Sequence, residues 1–373
     1  MSMVFDKNLK ILLTGGGTMG SVMPLVAIME QMKNDKANHC FLFIITKNGP
    51  EKKFLEKKGV DVKPIFSGKF RRYFSFKNFI DPFLILIGFF LSFFIILKFK
   101  PDIILSAGSF VSVPVIFAGK ILRVPILIHQ MDVRKGLANK IMAPFADKIT
   151  VGFEKSLNDY PKNKTVWTGN PVRKELRITN YELRQPKAGQ LLAEIKNEFN
   201  LIDNLPTLLV LGGGTGAMAI NNLIKNNLEK LTEFCQIIHI TGKNKSIKIA
   251  FNKKYHSFEF LQDTIKTYAV SDAIVSRCGI GVLSELSAFK KPSILIPISD
   301  SHQEENADIF SRADAAIILN QKNITDDIFI ETVKKILYNK DVKDRLSKNI
   351  SEIFKADGTE KIIEIIKTII YDK

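Results

Sequence analysis

The feature that most constrains the fold is a succession of strand, glycine cluster and helix that occurs twice. An apolar strand is predicted at 10–14, followed by the glycines of GGGTMGS and a helix from about 24 to 33. The same order returns with a strand at 207–211, the sequence GGGTGA and a helix from about 218 to 231. Such glycines allow tight turns and close backbone approach to a ligand. This pairing predicts an α/β protein with two Rossmann-like domains in series.

Strand and helix patterns alternate through the rest of each half, which is typical of parallel sheets. Further strands are predicted at 41–46, 102–106, 126–129, 148–152, 237–241, 273–275 and 293–297, and a helix at 113–122. A polar stretch with two prolines, 160–171, is predicted to be the hinge. The domains are therefore predicted at 1–162, joined by a C-terminal helix at 356–373, and at 168–355.

Composition favours a globular protein whose surface attracts phosphate groups. The 373 residues are 46% apolar and 25% charged, and 54 Lys and Arg against 38 Asp and Glu give a net charge of +16. The three cysteines are far apart and fit neither a disulfide framework nor a zinc site, which favours a reducing, cytoplasmic compartment. The sequence has no helix-turn-helix, zinc-finger or RNA-binding signature, so nucleic acid is not an expected partner.

One segment, 83–97, passes fifteen residues without a charge. A membrane-spanning helix needs about 20 apolar residues, so three interpretations stay open: a buried core helix, a spanning helix, or a helix half-sunk in the cytoplasmic leaflet. Basic and aromatic residues at 69–77 favour the third, because they suit anionic headgroups and the interface. Pro82 is expected in the first turn of this helix. The predicted membrane contacts are Phe83, Leu84, Ile85, Leu86, Ile87, Phe89 and Phe90.

Neither glycine-rich loop fits a common nucleotide motif. No GK[ST] follows either loop, and no acidic residue ends the second strand near Thr46. Ligands of open parallel sheets nevertheless bind beyond the carboxyl ends of the strands. One phosphate site in each domain would suit the joining of a nucleotide-activated donor to a phosphorylated acceptor.

Several motifs resemble one glycosyltransferase family in order and spacing. They are GGGTMGSVMPLVAI near residue 15, KPDIILSAGSFVSVPV (100–115), VPILIHQMDVRKGLANK (124–140), TGNPVR (168–173), LLVLGGGTGAMAIN (208–221), SRCGIGVLSELSAFKKPSILIP (276–297) and HQEENA (302–307). Over nearly its whole length the chain resembles the MurG family, which adds N-acetylglucosamine to the lipid-linked muramyl peptide of peptidoglycan. The resemblance implies a GT-B fold, with two Rossmann-like domains facing a cleft and a last helix, about 360–371, crossing back to the first domain.

The resemblance also implies the substrates and the location. The donor would be UDP-N-acetylglucosamine and the acceptor an undecaprenyl-linked muramyl pentapeptide, so that lipid I becomes lipid II. The enzyme would be peripheral on the cytoplasmic face of the cell membrane. It would contact anionic lipid there and work beside other proteins of cell-wall synthesis, and so contribute to cell shape and division.

The resemblance assigns most donor contacts to the second half. Arg173, Gly214 and Thr215 would hold the diphosphate, and the backbone of Leu261 would hold the uracil. Glu285 would bind the ribose hydroxyls, and Gln303 and Asn306 would bind the sugar. The diphosphate would also face the start of a helix formed by Gly279, Ile280, Gly281, Val282, Leu283 and Ser284. On the acceptor side it assigns Thr18, Met19, Gly20 and Asp132. Structural alternatives are a surface salt bridge for Arg173, a helix-dipole partner for Glu285 and a loop cap for Gln303 and Asn306.

Departures from the family pattern are concentrated on the acceptor side. Ser21 stands where the family has a histidine, and the family's HEQN reads His129-Gln130-Met131-Asp132 here. Three accounts stay open: a diverged member of the family, a relative that glycosylates another lipid-linked acceptor, and a pseudoenzyme that binds without turnover.

The mechanism expected from these residues is an inverting sugar transfer without a metal or other cofactor. No Asp-x-Asp pair, the usual means of clamping a metal to UDP, occurs in the chain. Amides, a helix dipole and Arg173 would then stabilise the leaving UDP. The base is open between Asp132 and His129. Rival functions are a membrane scaffold that senses UDP-sugar and a sugar-nucleotide epimerase.

Overall fold

The computed structural model describes residues 5–68, 77–176, 188–212, 217–247, 251–261, 264–354 and 357–371. The chain divides into two compact units. The first comprises Met1–Arg173 and Lys355–Lys373, and the second comprises Lys174–Phe354.

The first unit is built on a seven-stranded parallel sheet. Its strands are β1 (Lys10–Thr14), β2 (Cys40–Thr46), β3 (Asp61–Ile65), β4 (Ile103–Ser106), β5 (Ile126–Gln130), β6 (Lys148–Val151) and β7 (Thr165–Trp167), in the order β3-β2-β1-β4-β5-β6-β7. Ile11, Leu12 and Leu13 are all fully buried, as expected for a strand covered on both faces. Strand order reverses between β1 and β4, so the loops after these two strands flank the switch point where open α/β sheets bind ligands.

Helices cover the sheet of the first unit. They are α1 (Met23–Lys33), α2 (Glu51–Lys57), α3 (Lys77–Phe99), α4 (Ser112–Ile121), α5 (Leu137–Met142) and the C-terminal helix (Gly358–Tyr371). The C-terminal helix belongs to the first unit, as the resemblance implied, and packs against α1 and β6. Its first turn is held by Thr359, whose hydroxyl donates to the carbonyl of Val172 and accepts from the Val172 amide, both at 3.2 Å.

Helix α3 carries the uncharged run. It begins at Lys77, so the expectation that Pro82 lies in the first turn was wrong: Pro82 lies inside the helix. The part Asp81–Phe99 has a mean hydropathy of 2.4, is long and apolar enough to cross a membrane, and is only 17% buried. Low burial excludes the buried core helix. One face packs on α4, and the other exposes Phe83, Leu86, Ile87, Phe90, Phe94 and Leu97. The basic and aromatic residues at 69–76, which favoured the interfacial interpretation, lie outside the described residues, and the side chain of Lys77 is not described either.

The second unit repeats the architecture with a six-stranded parallel sheet. Its strands are β8 (Thr207–Leu211), β9 (Gln236–Ile240), β10 (Tyr255–Phe258), β11 (Ala273–Ser276), β12 (Ser293–Leu295) and β13 (Ile317–Ile318), in the order β10-β9-β8-β11-β12-β13. Its helices are α6 (Ala188–Glu198), α7 (Met218–Phe234), α8 (Ile265–Val270), α9 (Ile280–Phe289), α10 (His302–Arg312), α11 (Asp326–Tyr338) and α12 (Lys340–Ile350). The switch point here lies between β8 and β11.

Four strands were not predicted, and all four lie at sheet edges. They are β3 and β7 in the first sheet and β10 and β13 in the second. Strand β3 reads DVKPI and is mostly exposed, so it lacks the apolar pattern of a central strand. Because β7 pairs with β6, the stretch predicted to be the hinge is partly a strand of the first sheet, and the boundary between the units lies after Arg173.

Candidate active site

The first glycine-rich loop connects β1 to α1 at the switch point of the first sheet. The amide of Gly16 donates to Ser21 Oγ at 3.1 Å, and the Ser21 hydroxyl donates back to the Gly16 carbonyl at 3.3 Å. Ser21 is buried, so the residue at the family's histidine position closes the loop on itself. Thr18 is exposed and Met19 and Gly20 are half-buried, which leaves these three predicted acceptor residues as the accessible turn.

The loop after β4 is tied to the first loop by serine hydroxyls. Ser109 donates to the Gly16 carbonyl at 2.7 Å, and Ser112 donates to the carbonyls of Thr14 and Gly108 at 3.1 and 2.8 Å. Gly108 and Ser109 have φ angles of 89° and 85°, a region that a serine seldom adopts. The hydrogen bond of Ser109 to Gly16 offsets that strain and fixes the two loops to each other.

His129 lies at the end of β5 and is buried with both ring nitrogens occupied. Nδ1 is 2.9 Å from Thr150 Oγ1 and Nε2 is 2.9 Å from Asn170 Oδ1. Because an amide oxygen can only accept, Nε2 carries the proton and Nδ1 accepts from the threonine hydroxyl. Burial lowers the pKa of His129 to about 4. A neutral, enclosed imidazole of this kind fits a structural role, and the geometry does not support His129 as the base.

Gln130 organises the loop that follows β5. Its Nε2 donates to the carbonyls of Asp132 and Arg134 at 2.9 and 3.1 Å, while its Oε1 accepts from Asn139 at 2.7 Å and from Tyr160 at 3.0 Å. A glutamate, the family's residue here, could not make the two donations. The amide therefore replaces the family acid with a side chain that pins the loop backbone.

Asp132 remains the more accessible of the two predicted bases. It is half-buried in the loop fixed by Gln130, whereas His129 is enclosed. A fixed loop with a partly exposed carboxylate is compatible with a base that must reach an acceptor hydroxyl.

Helix α9 begins directly after β11 at the switch point of the second sheet. Gly279 is the N-cap, with extended backbone, and the predicted run Gly279–Ser284 forms the first turns. Arg277 ties the preceding loop to the end of β12, because its Nη1 donates to the carbonyls of Ile296 and Pro297 at 2.9 and 3.2 Å. Ser284 is buried and donates to the Ile280 carbonyl at 2.9 Å. Backbone amides of this turn are therefore the groups suited to an anion.

Asn306, on α10, holds the loop between β11 and α9. It is 0% exposed, and its Nδ2 donates to the carbonyl of Cys278 at 3.1 Å. This arrangement positions the loop, which is the structural alternative for Asn306, and its contact with the sugar stays a prediction.

Glu285 is half-buried on α9, and Tyr268 orients it. The Tyr268 hydroxyl donates to Glu285 Oε2 at 2.8 Å. The ring of Tyr268 is buried and stacks on Phe289, with centroids 5.4 Å apart and an interplanar angle of 23°. Sequence reasoning missed Tyr268. The only sequence signal for Tyr268 was its position in α8, the helix that directly precedes β11.

Gln303 lies in the first turn of α10 and is half-buried. Its Oε1 accepts from the amide of Ile298 at 3.2 Å, and Ser301 caps the helix by accepting from the Gln303 amide at 3.2 Å. The side chain thus serves as a loop cap in this structure, the alternative interpretation of the sequence. Its amide nitrogen is the group suited to a sugar hydroxyl.

Arg173 belongs to the first unit rather than to the predicted second domain. It is 8% exposed and follows the segment on which the C-terminal helix packs. Leu261 is half-buried in the loop after β10. Gly214 and Thr215, predicted at the diphosphate, lie outside the described residues.

Comparison with known proteins identifies the family. Residues 11–151 match the glycosyltransferase family 28 N-terminal domain and residues 207–362 match its C-terminal domain. The UDP-N-acetylglucosamine--N-acetylmuramyl-(pentapeptide) pyrophosphoryl-undecaprenol N-acetylglucosamine transferase of Clostridium botulinum is 36% identical over 96% of this chain and 98% of its own length. The enzyme of the same name from Clostridium tetani is 35% identical over 96% of this chain and 97% of its own length.

Solved structures share the fold at lower identity. Acinetobacter baumannii MurG superposes with a TM-score of 0.70, 20% identity and coverage of 96% of this chain and 99% of its own. UDP-GlcNAc 2-epimerase from Neisseria meningitidis superposes with a TM-score of 0.68 and 14% identity, covering 96% of this chain and 99% of its own. Transferases and epimerases therefore share this fold, and the choice between them comes from the sequence matches. By those matches the chain belongs to glycosyltransferase family 28, and within it to the MurG group of UDP-N-acetylglucosamine-dependent transferases.

Proposed function

We propose that this protein transfers N-acetylglucosamine from UDP-N-acetylglucosamine to undecaprenyl-pyrophosphoryl-muramyl pentapeptide, converting lipid I to lipid II in peptidoglycan synthesis. The observation that carries the proposal is the 36% identity, over 96% of the chain, to a transferase whose name states that reaction. The glycine-rich turn at the switch point of the first sheet suits the acceptor diphosphate, and the start of α9 suits the donor.

The donor contacts of the proposal rest on the second unit. Backbone amides at the start of α9 would stabilise the charge that develops on the leaving UDP. Glu285, held by Tyr268, would accept hydrogen bonds from the ribose hydroxyls, and Gln303 would donate to the sugar. This arrangement assigns charge stabilisation to groups of the chain, and the transfer is proposed to need no metal.

Asp132 is the proposed base. Its replacement by Asn keeps the shape of the side chain but removes the proton acceptor, so transfer should fall by at least a hundredfold while the Kd for UDP-N-acetylglucosamine stays within twofold. The matched control is Asp61→Asn, an exposed carboxylate on β3. Undiminished turnover of D132N would remove Asp132 from the mechanism.

Helix α3 is the proposed membrane contact. Its exposed face, which includes Phe83, Leu86, Phe90 and Phe94, is apolar over several turns, and such faces bury in the interface of a bilayer. A peripheral position on the cytoplasmic face of the membrane would bring the first unit to a lipid-linked acceptor. The net charge of +16 supports attraction to anionic lipid.

Two acceptors in detergent micelles test the acceptor assignment. Labelled N-acetylglucosamine is supplied as the UDP-sugar, with either the undecaprenyl-diphosphate muramyl pentapeptide or the same lipid diphosphate carrying N-acetylglucosamine. Label should enter only the first lipid. Transfer to the second lipid alone would replace the acceptor but keep the transferase. Binding of UDP-sugar without transfer to either lipid would favour the pseudoenzyme account that Ser21 and Gln130 left open.

A further inference from the structure

A buried carboxylate, that of Glu51, is hydrogen-bonded to the first glycine-rich loop. Glu51 is the first residue of α2 and is 0% exposed. Its Oε1 accepts from the amide of Gly17 at 3.0 Å, from the amide of Thr46 at 3.2 Å and from the Thr46 hydroxyl. One oxygen atom thus joins the loop after β1 to the carboxyl end of β2.

Two glycines make room for this carboxylate. A Cβ on Gly16 would lie 2.5 Å from Glu51 Oε1, and a Cβ on Gly49 would lie 2.0 Å from Oε2. Any side chain at either position would push the carboxylate away from the loop. Glycine at positions 16 and 49 therefore leaves space for the Glu51 carboxylate. This is a different reason for glycine from the close approach of a ligand to the backbone.

The carboxylate decides which loop amides are left for a substrate. Gly16 donates to Ser21 and Gly17 donates to Glu51, so both amides are already used. A negative charge at Gly17 also disfavours a second anion at that amide. The accessible turn that follows, Thr18–Gly20, is the part of the loop beyond these two occupied amides.

The other oxygen of Glu51 indicates more than a structural clamp. Oε2 is buried and has no hydrogen-bond partner among the residues that the structure describes. An unsatisfied buried oxygen lowers stability, and such groups call for an explanation beyond packing. The same side chain binds Gly17, which directly precedes the turn assigned to the acceptor.

We propose that Glu51 is a positioning residue for the acceptor, holding Gly17 so that the turn Thr18–Gly20 presents its amides to the acceptor diphosphate. This inference rests on the proposed function. Neither oxygen of Glu51 is accessible to substrate, so the residue acts through the loop backbone.

Steady-state kinetics of three variants test the proposal. Glu51→Ala removes all three hydrogen bonds and should raise the KM for the lipid-linked muramyl pentapeptide about tenfold, while the KM for UDP-N-acetylglucosamine stays within twofold. Glu51→Gln keeps an accepting oxygen and should rescue most of the loss, to about threefold. Thr46→Val removes only the hydroxyl bond, keeps the bond to Gly17, and should leave both KM values within twofold.

Melting temperatures and direct binding separate this role from its alternatives. If E51A melts lower but both KM values are unchanged, or if T46V raises the acceptor KM as much as E51Q does, the role of Glu51 is structural only. If E51A does not fold, the comparison of E51Q with T46V decides between these roles.

Equilibrium binding of the acceptor in micelles is measured alongside the kinetics. Wild type that binds acceptor without turnover would overturn the proposed function alone, whereas equal acceptor affinity in wild type and the Glu51 variants would overturn only this inference.

Discussion

At the scale of single residues, buried polar side chains at the carboxyl end of β5 bond to one another. His129 bonds to Thr150 and Asn170, and Gln130 bonds to Tyr160 and Asn139. Low-dielectric surroundings strengthen such networks and penalise any member that loses its partner. Gln130, which replaces the glutamate of the family pattern, therefore fixes the geometry of the loop after β5.

Burial of His129 predicts a pH dependence of stability. The pKa is about 4 in the folded protein against 6.5 ordinarily. As pH falls below 6.5 the unfolded chain takes up a proton that the folded state resists, so stability declines between pH 6.5 and 4 by about 3 kcal/mol and this contribution changes no further below pH 4. Trp167, the one tryptophan of the chain, lies on β7 and reports unfolding of the first unit by its fluorescence.

The control for this prediction is His129→Gln, which keeps hydrogen-bonding groups but does not titrate. Denaturant unfolding followed at Trp167 should show a shallower decline over the same pH range in H129Q than in wild type. Parallel profiles would contradict the pKa assigned to His129.

Tyr268 is predicted to tune donor affinity. Tyr268→Phe keeps the stacked ring but removes the hydroxyl that holds Glu285, and a hydrogen bond to a charged group is worth about tenfold in binding. The KM for UDP-N-acetylglucosamine should rise by about that factor, with kcat and the acceptor KM within twofold of wild type. Tyr338→Phe, at an exposed tyrosine, is the matched control. A donor KM unchanged in Y268F would show that Glu285 needs no such support.

At the scale of elements, the central strands and the helices after the glycine clusters were predictable, because both faces of a central parallel strand are apolar. Strand β8 was predicted at its observed bounds and α1 to within one residue. The edge strands were not predictable: β10 reads YHSF and β13 has two residues. Their positions depend on pairing with a neighbouring strand, which local sequence does not encode.

Helix α3 is predicted to bind membranes through its exposed aromatic face. Phe90→Glu and Phe94→Glu place a charge in that face, and each should lower partitioning onto phosphatidylglycerol vesicles at least tenfold, as measured by co-sedimentation. Phe251→Glu, at a phenylalanine of the second unit that is 89% exposed, should partition as wild type does. Equal partitioning of all three variants would exclude α3 as the contact.

At the scale of the whole molecule, each unit places its candidate binding loops at the reversal of its strand order. The glycine clusters in the sequence mark the carboxyl ends of β1 and β8, which lie beside these reversals. The sequence could not predict which side chains are accessible there: Asn306 and His129 turned out buried, and Tyr268 and Glu51 act from positions far along the chain from the residues they hold. Such contacts depend on tertiary packing.

The most direct test of the account is UDP release from UDP-N-acetylglucosamine in the presence of EDTA, with and without the lipid-linked muramyl pentapeptide. The account predicts release only when acceptor is present, with one glycosylated lipid formed for each UDP. Release of UDP without acceptor, or no release with it, would contradict the proposal that this protein is a metal-independent transferase for that lipid.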